Sequence, residues 1–147
     1  MVQPIREFFT RNKEALRVVL AISMGVAGTL HFLTSEPFIR IVPDFLPYPA
    51  MLVYISGVIE IVLGLTLLMP PLSRWAAWGL VALFIAVYPA NINMAVNQIQ
   101  IGGLPSNWLF HAIRLPLQFV LIAWAYGYTK RDNNPKQVSI LPGYPKS

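Results

Sequence analysis

Four long apolar runs, at residues 15–33, 51–69, 75–95 and 108–128, alternate along the chain with short polar or proline-rich pieces. Each is about one bilayer long, since roughly 20 residues at 1.5 Å rise cross a hydrocarbon core of about 30 Å. Arg17 interrupts the first run near its start, Glu60 is the single charge in the second, the third has none, and Arg114 lies in the fourth. The pattern predicts an all-α polytopic membrane protein, a four-helix transmembrane bundle forming a single membrane domain over 1–147.

The connecting pieces fix the order of the helices. Residues 1–14 predict a helix on or leading into the first span, with Ile5, Phe8 and Phe9 toward lipid. The loop 34–50 holds VPDFLP at 42–47 and prolines at 37, 43, 47 and 49, which forbid a long regular helix. Its apolar residues Phe38, Ile39, Ile41, Val42, Phe45 and Leu46 predict a lid-like segment packed over the bundle or dipping into the interface. The link at 70–74 is short enough to make spans two and three an antiparallel hairpin, and 97–107 pairs spans three and four likewise. The tail 129–147 carries prolines and charges without helical period and reads as mobile and cytoplasmic.

Composition agrees with lipid as the solvent: 56% of residues are hydrophobic and 12% charged, too apolar for a soluble domain of this size. The lysines and arginines add an orientation. Arg6, Arg11, Lys13, Arg17, Arg74, Lys130, Arg131, Lys136 and Lys146 fall on one side of the predicted bundle, against Arg40 on the other. By the positive-inside rule both termini are cytoplasmic, in a bacterial cell inner membrane. The net charge of +5 does not point to nucleic acid, because the basic residues flank spans and face anionic headgroups. The tryptophans at 75, 78, 108 and 124 read as interface anchors. The chain has no cysteine, which removes disulfides, dithiol exchange and thiolate-held iron–sulfur clusters. Its two histidines lack carboxylates at ligand spacing, so no metal site is predicted.

Candidate chemistry lies where polar groups enter hydrocarbon. An ionisable residue there costs about 2.5–3.5 kcal/mol on insertion scales and needs a partner or water. Glu60 lies roughly 13 Å below Met51 and Arg114 roughly 9 Å below Trp108, so burial cost predicts that they pair directly or through one bridging water. His111, Arg114 and Gln118 share a helix face, as do Gly57, Glu60 and Gly64. Asn91, Asn93 and His31 fall in the same outer half, where asparagines also serve as helix caps and histidines as interfacial hydrogen-bonding residues. Pro89 and Pro116 are expected to leave the Ile85 and Ala112 carbonyls without backbone donors. The Glu60–Arg114 pair is open to two readings, a structural ion pair fixing helix register or part of a site.

Taken together, LHF at 30–32, VPDFLP at 42–47, SGVIEIVLGL at 56–65, YPANINMA at 88–95 and RLPLQ at 114–118 give residues 22–126 a resemblance to the DoxX family of small four-helix membrane proteins. That family is described as redox-associated, being similar to a subunit of a thiosulfate:quinone oxidoreductase, and its more distant relatives as assembly factors. The matching positions include His31, Glu60, Asn91, Asn93 and Arg114.

The resulting expectation is a redox-associated membrane component binding a quinone-like or other small molecule in a polar pocket. Glu60, Arg114, His31, His111, Asn91, Asn93 and Gln118 are its ligand-binding or proton-relay candidates; Arg114 would hold Glu60 ionised or bind an anionic group. A partner oxidoreductase would supply electrons. Two alternatives stand beside it. One is a scaffold or assembly factor gripping client membrane proteins through small faces at Gly25–Gly28 and Gly57–Gly64. The other is a small proton-coupled transporter, which with four helices would need a homo-oligomer.

Overall fold

The computed structural model describes residues 2–101, 103–105 and 107–130, with backbone alone at Val2, Arg6, Phe9 and Thr10. The predicted tail lies almost wholly outside the described residues. Seven helices follow one another: α1 (Val2–Arg11), α2 (Lys13–Leu33), α3 (Ser35–Ile41), α4 (Pro49–Leu67), α5 (Ser73–Ala86), α6 (Tyr88–Val96) and α7 (Trp108–Gly127). Helix α2, helix α4, the α5–α6 pair and helix α7 are each long and apolar enough to cross a membrane. The protein is a multi-pass membrane protein built as a bundle of these spans.

Local chemistry explains the boundaries. Helix α3 ends where Val42 turns extended ahead of Pro43. Helix α4 starts with Pro49 at its first position, where the missing N–H is harmless. The residue before it, Tyr48, has φ 53° and ψ 57°, left-handed backbone that a non-glycine residue rarely adopts. At α7 the Asn107 side chain accepts from the Phe110 N–H at 2.8 Å and caps the first turn.

Two features depart from the expected spans. The third run is not one helix: α5 stops at Ala86, and α6 restarts at Tyr88 with Pro89 in its first turn. Proline fits the first turn of a new helix better than the interior of an old one, so the chain breaks two residues ahead of it. In contrast, α7 runs through Pro116 without interruption. The lid-like loop 34–50 is divided. Helix α3 packs against α4 with Ile41 and Pro43 buried, while Phe45 and Tyr48 stand exposed.

Packing runs from α2 to α4, from α4 to α5 and from α5 to α7, with no α2–α7 packing of comparable extent among the described residues. The α2–α4 contact is the tightest. A Cβ on Gly28 would sit 2.6 Å from the Gly57 carbonyl oxygen, and one on Gly64 would sit 2.8 Å from the Ala21 carbonyl oxygen. The two backbones therefore touch through their glycines. In one half of the bundle Leu20, Met24, Leu67, Leu80, Phe84 and Ala125 form an apolar core. This is the end carrying Lys13, Arg74 and Lys130, called here the basic end. The interior of the far half is polar.

Candidate functional site

Helical geometry gathers the far-half polar groups into two sets. On α4, Val53, Gly57, Glu60, Gly64 and Leu67 are buried at alternating steps of four and three, so Glu60 lies on the stripe that faces α2. Side chains lean toward the N-terminus of their helix. Because α2 and α4 are antiparallel, Glu60 leans toward the far end and His31 on α2 leans away from it. They converge although their Cα atoms lie at different depths. His31 Nδ1 comes within 3.4 Å of Glu60 Oε2, and Glu60 retains only 8% of its exposure.

That ring is already committed. His31 Nδ1 lies 2.7 Å from the Ala27 carbonyl oxygen, which can only accept, so Nδ1 carries the proton and donates it there. Phe38 of α3 stacks on the same imidazole, with ring centroids 4.2 Å apart and planes inclined by 21°. Glu60 Oε2 is left buried without a hydrogen-bond partner among the described residues.

The second set joins α5, α6 and α7. Arg114 donates from Nη2 to Asn91 Oδ1 at 2.8 Å and contacts the Met94 sulfur through Nη1. Asn91 Nδ2 donates to Gln118 Oε1 at 3.3 Å, and Gln118 Nε2 donates to the Phe84 carbonyl at 3.0 Å. Phe84 is in the last turn of α5, where the helix ladder is cut by the break. A side chain from α7 thus meets a carbonyl that a continuous helix would have satisfied by itself. The sequence pointed to Ile85, one residue later.

The direct Glu60–Arg114 ion pair expected from burial cost is not formed. The choice of neighbour decides this: α4 packs on α2 and α5, whereas α7 carries Arg114 against α6, where Asn91 and Met94 reach it first. Asn93, expected near the same centre, instead donates to the Ile41 carbonyl at 3.0 Å and ties α6 to α3. Neither asparagine caps a helix.

His111 belongs to neither set. It shares the inward face of α7 with Gln118 and Ala125, retains 5% of its exposure, and has no hydrogen-bond partner at either ring nitrogen among the described residues. A neutral imidazole must offer one donor and one acceptor, so two polar functions are unmet in the buried interior. Sequence reasoning missed Met94, Phe38 and the Phe84 and Ile41 carbonyls, since an apolar side chain or a backbone oxygen gives no signal of its own. Pro89, with the backbone donor it removes, is the hint of the break that the sequence carries.

Among the described residues no group of three or more histidine or acidic side chains could hold a metal ion. Of the small faces at Gly25–Gly28 and Gly57–Gly64, expected on a scaffold to receive clients, Gly28, Gly57 and Gly64 are filled within the chain by the α2–α4 contact, whereas a Cβ on Gly25 would meet nothing within 4 Å. Neither a curated protein nor a solved structure matches the chain. One family model matches residues 20–129, which span α3 to α7 and the last two thirds of α2, and its description is a domain of unknown function (DUF8561). With its four apolar spans and a match over most of its length, the chain belongs to the DUF8561 family of proteins of unknown function.

Proposed function

We propose that the protein binds a small molecule drawn from the membrane in the polar interior of its far half, and that the ligand is quinone-like. One observation carries the reading: His111 and Glu60 are buried with both imidazole nitrogens and one carboxyl oxygen unpartnered among the described residues. Leaving such groups unpaired costs about 1–3 kcal/mol each, and a ligand with matched donors and acceptors recovers that energy. A flat apolar ring bearing carbonyl oxygens suits an imidazole N–H on one side and the apolar surroundings on the other.

The residues present fit that group. His111 would donate to a carbonyl oxygen, Glu60 would exchange a proton with the ligand's oxygen, and the unprotonated Nε2 of His31 would receive a proton. Arg114, Asn91 and Gln118 would hold α6 and α7 in register around the ligand. A quinone supplies paired electron and proton uptake when bound. With no cysteine in the chain, a partner oxidoreductase is the proposed source of electrons. The motif resemblance to the DoxX proteins supports a redox setting.

The test is extraction of small molecules from the detergent-purified full chain, followed by mass spectrometry, for the wild type, Glu60→Gln and His111→Phe. Retention of a quinone by the wild type and its loss from both variants is the expected result. If no quinone is retained, or if all three chains retain it equally, the reading is wrong.

A further inference from the structure

One charge in the far half has no counter-charge beside it. Arg114 takes part in no ion pair among the described residues, whereas Arg17 is held by Glu14, Arg40 by Glu36, and the Glu60 carboxyl faces His31 of α2. Its hydrogen bonds do not supply the missing charge. A guanidinium carries five N–H donors. One goes to Asn91 Oδ1 and one to the Met94 sulfur, a weak and uncharged acceptor, which leaves three without an acceptor among the described residues. Those two bonds tie α7 to α6, and neither compensates a cation in a setting where an isolated charge is costly.

His111 stands one helical turn away, toward the N-terminus of α7. Residues three apart on a helix have Cβ atoms about 5–6 Å apart. Side chains lean toward the helix N-terminus, which brings the long Arg114 side chain back toward the level of His111. The imidazole is buried with neither nitrogen partnered among the described residues, while Arg114 is only partly buried, so its remaining donors can be reached. Adjacent turns of α7 thus offer several N–H donors and one positive charge. A neutral carbonyl oxygen satisfies the His111 N–H but leaves the guanidinium uncompensated. An oxygen carrying one negative charge satisfies both, through charge-assisted bonds about twice as strong as neutral ones. A doubly charged phosphate would bring one charge more than this single cation balances.

We propose that Arg114 and His111 form an oxyanion site, and that the far-half ligand is a lipophilic acid bound in its ionised form, with its singly charged oxygen between the guanidinium and the imidazole. This inference rests on the reading of the far half as a site for a small molecule drawn from the membrane, and it narrows that reading. A quinone-like ring meets the requirement when it bears a hydroxyl conjugated to a ring carbonyl, because such a hydroxyl is a vinylogous carboxylic acid and is ionised at neutral pH. A long-chain carboxylate presents the same oxyanion from a different source. An uncharged analogue of either, equal in shape, forgoes the charge-assisted bonds and is discriminated against.

The experiment is isothermal titration calorimetry of the full chain in non-ionic detergent, with empty micelles as the blank. Two matched pairs are the probes: lapachol, a prenylated hydroxynaphthoquinone, with its methyl ether, and palmitate with its methyl ester. The expected result is that lapachol binds the wild type roughly tenfold or more tightly than its ether. Arg114→Gln removes that preference, Arg114→Lys keeps most of it, and His111→Phe weakens binding of the acid. Equal binding of acid and ether by the wild type overturns the oxyanion site and leaves the quinone reading standing, a comparison that needs no variant to fold. A preference unchanged in Arg114→Gln overturns the site as well. Preferential binding of palmitate over its ester, with neither naphthoquinone bound, supports the oxyanion site and overturns the quinone reading. Binding of none of the four probes overturns both.

Discussion

His31 Nδ1 stands 3.4 Å from Glu60 Oε2 but donates its proton to the Ala27 carbonyl at 2.7 Å. The proximity of the two side chains is therefore not a hydrogen-bonded pair, and stability need not depend on the Glu60 charge. Glu60→Gln keeps the volume and removes no hydrogen bond formed among the described residues. Its thermal unfolding in detergent is expected to match the wild type within about 1 kcal/mol, or to be more stable. A structural ion pair would instead cost about 3–5 kcal/mol on loss of one partner, so an unfolding measurement separates the two roles.

Gln118→Leu should behave differently. It strips the Phe84 carbonyl of its side-chain donor and Asn91 Nδ2 of its acceptor, both in the buried interior. A destabilisation of about 1–3 kcal/mol is expected for each group left unmet. Hydrogen exchange should rise at the first amides of α6 more than elsewhere in the spans, and unchanged exchange there would show that Gln118 does not hold the break.

The glycine contact gives a paired test within one helix turn. Gly28→Ala places a Cβ against the Gly57 backbone oxygen, which cannot move aside alone, so α2 and α4 must separate; a loss of about 1–3 kcal/mol is expected. Gly25→Ala meets nothing within 4 Å and should gain up to about 1 kcal/mol from helix propensity. Thermal shifts of opposite sign for the two variants are the expected reading.

Orientation is open to a direct experiment because the chain has no cysteine of its own. With the basic end cytoplasmic, Asp44→Cys is labelled by a membrane-impermeant maleimide in intact cells, and Ser73→Cys only after permeabilisation. The reverse pattern would place the basic end outside.

The spans could be read from the sequence because each is a charge-poor run one bilayer long, and that signal depends on nothing outside the run. Burial cost also singled out Glu60, Arg114, His111 and Gln118 without reference to their neighbours. Pairing was not legible for a geometric reason. Depth counted in residues put Glu60 and Arg114 at reach of each other, but helix order put α2 beside Glu60 and α6 beside Arg114. The lean of side chains toward helix N-termini then joined His31 to Glu60 across different depths. Tyr48 in left-handed backbone was equally hidden, since tyrosine gives no propensity for it.

The interruption at Val87 changes what positions the far part of the third span. In an unbroken helix, one end dictates where the other lies, because every backbone rung is fixed to the next. Here the nine residues of α6 are moored sideways, by Gln118 through Asn91, by Arg114 through Asn91 and Met94, and by Asn93 through the Ile41 carbonyl of α3. Their address in the bundle is thus written in α7 and α3 rather than in α5. A change to either mooring helix relocates this segment without altering a single residue of it.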